Sequence, residues 1–225
     1  MTLSIKDCLR FGWETFKKRP WLLILALAIG VVIEGVTTMI EEATAGDVVA
    51  ATLGILVALL ISMVYAVGHT HLFLKAHDAP AAARVKDLWY PKAYWRFLCT
   101  SVLLWLFIGL PYLALVLLKL PDVVLAILII PALVVSLVFG FALYLVVDKD
   151  LGPIDALKES ARITKGHRLQ IFFLLLAVIG INLLGLLALV IGLLVTIPTT
   201  VLAMVHAYRT LSETLSLVPT EEAVV

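Results

Sequence analysis

Glu34 is the residue whose type is most at odds with its surroundings. It lies in an apolar run, thirteen residues past Trp21. At 1.5 Å per helical residue that is about 20 Å into the run. An ionisable group at such depth is costly and by default marks a path for ions or protons. Asn182 lies thirteen residues past Leu169 in a second apolar run. The two would reach one depth if both runs start from the same side, so Glu34 with Asn182 is the candidate intramembrane polar site. The plainer reading is a carboxyl near the outer interface, hydrated through Gly35, Thr37 and Thr38. That reading carries more weight, because no second acid or basic counter-ion occurs at that depth.

His69, His71, His77 and Asp78 suggest metal binding at first sight. Metal-binding pairs on a helix need i, i+3 or i+4 spacing to share a face. His69 and His71 are two apart and point apart, and His77 is expected in a following polar loop. No metal site, cofactor or catalytic residue is therefore expected. Neither an H-E-x-x-H pattern, a G-x-S-x-G elbow nor a phosphate-binding glycine loop occurs.

The elements that would carry these residues follow from composition. The 225-residue chain is 63% hydrophobic and 15% charged, where soluble domains run near 45–50% and 25%. Six runs approach the roughly 20 residues that cross hydrocarbon: 21–40, 49–74, 97–118, 123–147, 169–190 and 193–211. The last two require a tight turn near Gly192. Pro111, Pro131 and Pro198 fall inside runs, as do Gly109, Gly140, Gly180 and Gly185; such residues are ordinary in membrane helices.

Charge sets the orientation. Of the 17 Lys and Arg residues, 16 fall on one side of the runs and only Lys119 on the other. Short basic loops stay cytoplasmic, so both termini are expected inside and the loop with Glu41, Glu42 and Asp47 outside. A cleaved signal peptide is the rival reading of the N-terminus, with Ala43-Thr44-Ala45 resembling a cleavage site. The first run is too long for a signal core of about 7–15 residues. Cys8 and Cys99 both map to the cytoplasmic side, where thiols stay reduced. The near-neutral net charge of +1 offers nothing to nucleic acid.

The cytoplasmic stretches resemble one another. Residues 4–18 read as an amphipathic helix, with Ser4 and Asp7 fitting a capping box. Ile5, Cys8, Leu9, Gly12, Trp13 and Phe16 form its apolar face. Residues 153–165 repeat the design, opening at Gly152-Pro153, with Ile154, Leu157 and Ala161 as the apolar stripe. The middle stretch is a weaker copy, interrupted by Pro91 and rich in interfacial aromatics: Trp89, Tyr90, Tyr94 and Trp95. Lys17, Lys18, Arg19, Trp21, Trp95, Arg96, Lys165 and Arg168 are the expected contacts to lipid headgroups.

In the third unit the run from Val147 to Ser160 (VDKDLGPIDALKES), then Thr164-Lys165-Gly166-His167, the segment from Ile191 to Pro198 (IGLLVTIP) and Ala207-Tyr208-Arg209 resemble the signature of a known family. It comprises uncharacterised prokaryotic six-helix membrane proteins, similar to the membrane domain fused to some glycerophosphodiester phosphodiesterases. The resemblance covers mainly residues 147–211. It implies a six-span helical fold and no activity.

The expectation is thus an all-α, polytopic protein of a prokaryotic inner (cytoplasmic) membrane. Six transmembrane helices form three hairpins, each preceded by a cytoplasmic interfacial segment. Residues 1–211 make one membrane domain and 212–225 a short cytoplasmic tail. The expected function is non-enzymatic: a scaffold or regulator acting on lipids or partner proteins. The alternative is a small transporter or lipid-handling protein using Glu34, and an intramembrane enzyme comes third. Expected partners are membrane lipids, with a membrane protein or a second copy of the chain.

Overall fold

The computed structural model describes residues 3–118, 129–188 and 191–216. Their regular secondary structure is entirely helical, with no strand among the described residues. Helix α1 (Ile5–Lys18) starts at Ser4, whose hydroxyl accepts the Asp7 N–H at 3.3 Å. Arg19 then leaves helical geometry (φ −143°, ψ 55°). The cause is Pro20, whose ring disfavours the helical region for the residue before it. Pro20 in turn suits the first turn of α2 (Pro20–Thr44).

Only residues 45–47 separate α2 from α3 (Val48–Asp78). Glu41 and Glu42, expected in a loop, belong to the last turn of α2. Asp47 caps α3 by accepting the Ala50 N–H at 2.8 Å. With 31 residues, α3 is about 46 Å long, well beyond the roughly 30 Å of hydrocarbon. It therefore runs past 74 and carries His77 and Asp78 on the helix, not in a loop.

The middle stretch is no amphipathic helix but two 3-10 turns, Val85–Leu88 and Pro91–Ala93. It leads into α4 (Tyr94–Leu117), which continues through Pro111. Next come α5 (Ile129–Phe139), α6 (Ala142–Lys149), α7 (Pro153–Thr164), α8 (Arg168–Leu187) and α9 (Leu193–Ser216). The run expected as one span over 123–147 is thus broken at Gly140-Phe141; its beginning lies outside the described residues. Helix α9 passes through Pro198 and on through 212–216, which were expected to be tail; the tail beyond 216 lies outside the described residues.

Four stretches are long and apolar enough to cross a membrane: Pro20–Thr44, Val48–Asp78, Ile130–Lys149 (α5 with α6) and Arg168–Leu187. Their outer surfaces are apolar too. Val31 is 64% exposed, Met39 70% and Val48 84%. In water this would be an extended sticky surface; hydrocarbon tolerates it, since the helices satisfy their own backbone hydrogen bonds.

The core is concentrated at one end. Leu72 and Phe73 of α3, Leu145 and Val146 of α6, Leu174 of α8, and Leu202 and Tyr208 of α9 are all inaccessible. This is the basic end, where α1, α7 and the 85–93 segment also lie. Helix α1 packs along α9 with its backbone nearly touching. A Cβ on Gly12 would come within 2.3 Å of the Thr199 carbonyl oxygen. Close approach through small residues is how helices associate in lipid, where apolar burial gives little drive.

Helix α7 is also held by the bundle, on a different face from the one expected. Ala156, Leu157, Ser160, Ile163 and Thr164 are buried, while Ile154 is 62% exposed. The break at Gly140-Phe141 explains the inward polar residues. It leaves the Val138 carbonyl without its helical partner. The Ser160 hydroxyl donates to that oxygen at 2.9 Å and the Thr164 hydroxyl at 3.3 Å.

Candidate functional site

The basic end holds the one extensive polar network among the described residues that joins several helices. Arg209, near the end of α9, is its centre. Its Nε and Nη2 donate to both oxygens of Asp78, at 3.1 and 2.5 Å. Its Nη1 donates to Asp148 Oδ2 at 2.6 Å. The same Asp148 oxygen accepts the Tyr208 hydroxyl at 2.6 Å. Asp78 ends α3 and Asp148 lies in the last turn of α6, so one guanidinium ties three helices. Only Arg can do this, because its planar fork reaches two carboxylates at once.

Histidines extend the network to α1. His77 Nδ1 lies 2.9 Å from Asp78 Oδ1, and His77 Nε2 lies 3.1 Å from His206 Nδ1. Phe11 of α1 stacks on His206 with ring centroids 4.2 Å apart and contacts His77 at 4.5 Å. Each ring nitrogen between the histidines can bond the other only if one donates and the other accepts, so the pair holds a single shared proton at that contact.

The other histidines go elsewhere. His69 packs between Tyr65 and Phe73. His71 stacks on Tyr90 at 4.0 Å and bonds the Asp87 carbonyl oxygen at 3.1 Å. No group of three metal-capable side chains converges among the described residues.

Asp87 is a second anchor. Its carboxylate accepts from Lys75 Nζ at 2.7 Å and from the Arg84 N–H at 2.8 Å. Burial opposes its charge, but the Lys75 and Arg84 hydrogen bonds outweigh that and hold the carboxyl below its ordinary range. Cys8, in the α1 face against the bundle, is the opposite case. Burial, helped by the neighbouring Asp7 carboxylate, pushes its thiol up to about 11, which leaves it unreactive.

Glu34 and Asn182 are not brought together by any hydrogen bond. Asn182 donates to the Thr200 hydroxyl of α9 at 3.2 Å. Glu34 is exposed on α2, with Tyr65 within electrostatic reach. Its carboxylate makes no hydrogen bond or ion pair among the described residues; only its backbone carbonyl accepts, from Thr37 and Thr38. The two residues share a residue count from their helix starts, but their helices present them to different neighbours.

The expected headgroup residues divide into two groups. Arg19 and Arg96 are used inside the fold. Arg19 donates to the Ala81 carbonyl at 2.8 Å, and Arg96 bonds Asp150 through both its carboxylate and its carbonyl. Lys17, Lys18, Trp21, Trp95, Lys165 and Arg168 are exposed. Trp21 and Trp95, at 82% and 71% exposure, remain free to meet an interface.

Residues 115–214 match a family described as "Protein of unknown function (DUF975)". The match takes in α5 to α9, and so holds Asp148, Tyr208 and Arg209 together with the Ser160 and Thr164 contacts. It also encloses the 147–211 stretch that carries the resemblance noted above. Asp78, His77 and α1 lie outside it. No curated protein and no solved structure matches the chain.

Proposed function

We propose that this chain is a non-enzymatic, multi-pass protein of a prokaryotic inner membrane. It would serve as a scaffold or regulator whose cytoplasmic base engages anionic lipid or a partner protein. In this reading α4 and α9, at 24 residues each, join the four stretches above as spans. The six then pair as three hairpins, with both termini inside by the basic-loop rule. The resemblance to membrane domains fused to some glycerophosphodiester phosphodiesterases fits such an accessory role.

The observation that supports it is the use of the amphipathic helices. One face of each of α1 and α7 is taken up by the bundle, through Cys8, Gly12 and Phe16 and through Ala156, Leu157 and Ile163, while Trp13 and Ile154 of the expected apolar stripes stay exposed. Their charged faces, with Lys6, Arg10 and Lys158 exposed, are left to point away. A rigid charged platform is what a docking surface requires. Transport through Glu34 loses its support, since that carboxylate has no polar partner along a path.

Two measurements test this reading. In intact cells a cysteine at Thr44→Cys should label from outside and one at Thr220→Cys should not; the reverse pattern would end the proposed topology. In a deletion strain with a measurable defect, E34Q should complement fully. The triple variant K6Q/R10Q/K158Q should not, at equal membrane level. Failure of E34Q with success of the triple variant would favour a transport path instead.

A further inference from the structure

A lateral cleft opens between α2, α3 and the 85–95 segment. Its larger part, about 570 Å³, is lined by Ile29 and Ile33 of α2, Leu60 and Val64 of α3, and Leu88 and Trp89 of the connecting segment. That volume lies within the roughly 300–1,000 Å³ of ordinary ligand sites. Val64 and Trp89 also line an adjoining space of about 280 Å³, together with Tyr90, Tyr94 and Trp95. The two spaces therefore meet at the boundary between the apolar helices and the basic end.

The cleft is a built feature and not a gap between loosely placed helices. The Leu88 backbone is seated directly on Gly68 of α3, where a Cβ would fall within 1.6 Å of the Leu88 carbonyl oxygen. Asp87 locks the same segment to α3 through Lys75, and His71 bonds the Asp87 carbonyl. A fixed wall thus faces α2 across an apolar space.

Charge and lining indicate the chemistry of an occupant. Arg84, Lys86 and Lys92 stand exposed on the segment that forms the basic end of the cleft, while the larger space is lined mainly by apolar side chains. An apolar chain carrying an anionic group at one end describes an acidic glycerolipid.

We propose that this cleft binds one anionic glycerophospholipid. An acyl chain would lie along Ile33, Leu60 and Val64, and the phosphate would lie near Lys86 and Lys92. The inference rests on the membrane reading above and names the lipid partner it left open. It predicts a site with one-to-one occupancy and headgroup preference, which bulk lipid around the bundle does not have.

The test uses the full chain purified in mild detergent and titrated with dioleoyl phosphatidylglycerol or dioleoyl phosphatidylcholine, read by native mass spectrometry. Wild type should hold one phosphatidylglycerol at least tenfold more tightly than phosphatidylcholine. L60W, at a half-exposed position where bulk is tolerated, should weaken that binding about tenfold with unchanged melting temperature. K86Q/K92Q should abolish the headgroup preference, and its persistence would overturn the proposed placement of the phosphate. Equal binding of both lipids, graded occupancy without a one-to-one species, or indifference to L60W would overturn the site. Release of the chain from membranes by alkaline carbonate would instead overturn the membrane reading, and this proposal with it.

Discussion

Arg209 is the residue on which the basic end depends most. Its side chain is 20% exposed and that of Asp148 15%, so neither charge is well hydrated when unpaired. Replacing one partner of such a pair leaves the others uncompensated, at about 3 kcal/mol for partly buried groups. Arg209→Gln should therefore lower the detergent-solubilised melting temperature markedly. Arg209→Lys should recover only part of the loss, because an ammonium cannot reproduce the fork to both carboxylates. Equal stability of Arg209→Gln and wild type would show that the network carries no load.

Asp87 gives a pH dependence whose sign follows from its hydrogen bonds. Its carboxyl titrates lower in the folded chain than its ordinary value. Folding therefore favours the charged form, and the stabilisation is complete above the unfolded-state value of about 4. It is lost as pH falls through the lower folded value. The stability difference between wild type and Asp87→Asn should be constant from pH 8 to pH 6 and shrink below about pH 4. A difference that grew on acidification would contradict the assigned Lys75–Asp87 contact.

At the scale of elements, the two amphipathic helices make different demands. Helix α1 needs a bare backbone at Gly12. Gly12→Ala places a methyl where the Thr199 carbonyl now sits, and overpacking of this kind costs about 1–3 kcal/mol. Thermal unfolding should show it, and loss of α1 docking should appear as new protease sensitivity at Lys17 and Lys18. Helix α7 instead supplies hydroxyls to a broken neighbour. Thr164→Val keeps the shape but removes a donor, while Ser160→Ala removes the shorter bond to Val138. The double variant should be less stable by more than Thr164→Val alone, since only then is the Val138 carbonyl left unpaired. Additive, negligible effects would mean that the carbonyl finds another donor.

At the scale of the whole molecule, packing is uneven along the helices. The basic end contains the inaccessible residues and the ionic network; the other end of α2 and α3 has its apolar side chains turned outward. Local opening free energy follows packing and hydrogen bonding. Hydrogen exchange in detergent should therefore be slowest over 67–76 and 199–211 and faster over 40–56. Uniform protection along α3 would show that the lightly packed end is as firmly held as the base.

Much of this was legible in the sequence because it depends on local pattern. Apolar runs, the Ser4 cap and the Pro153 start each follow from a few neighbouring residues. Asp78, Asp148 and Arg209 each fall near the basic end of an apolar run. Which of them pair could not be read, because they are 61 and 131 positions from Arg209. Pairing depends on which helix faces are adjacent, and helix order around a bundle leaves no mark on periodicity. For the same reason equal spacing from their helix starts does not give Glu34 and Asn182 a hydrogen bond to each other; Asn182 bonds Thr200 instead. Packing also turns α7 by a fraction of a turn from its apparent stripe, so that Ser160 and Thr164 face inward. Their partner, the Val138 carbonyl, becomes available only because the chain breaks at Gly140-Phe141. Local pattern thus determined which segments are helical and which end is basic; only tertiary packing decided which side chains meet there.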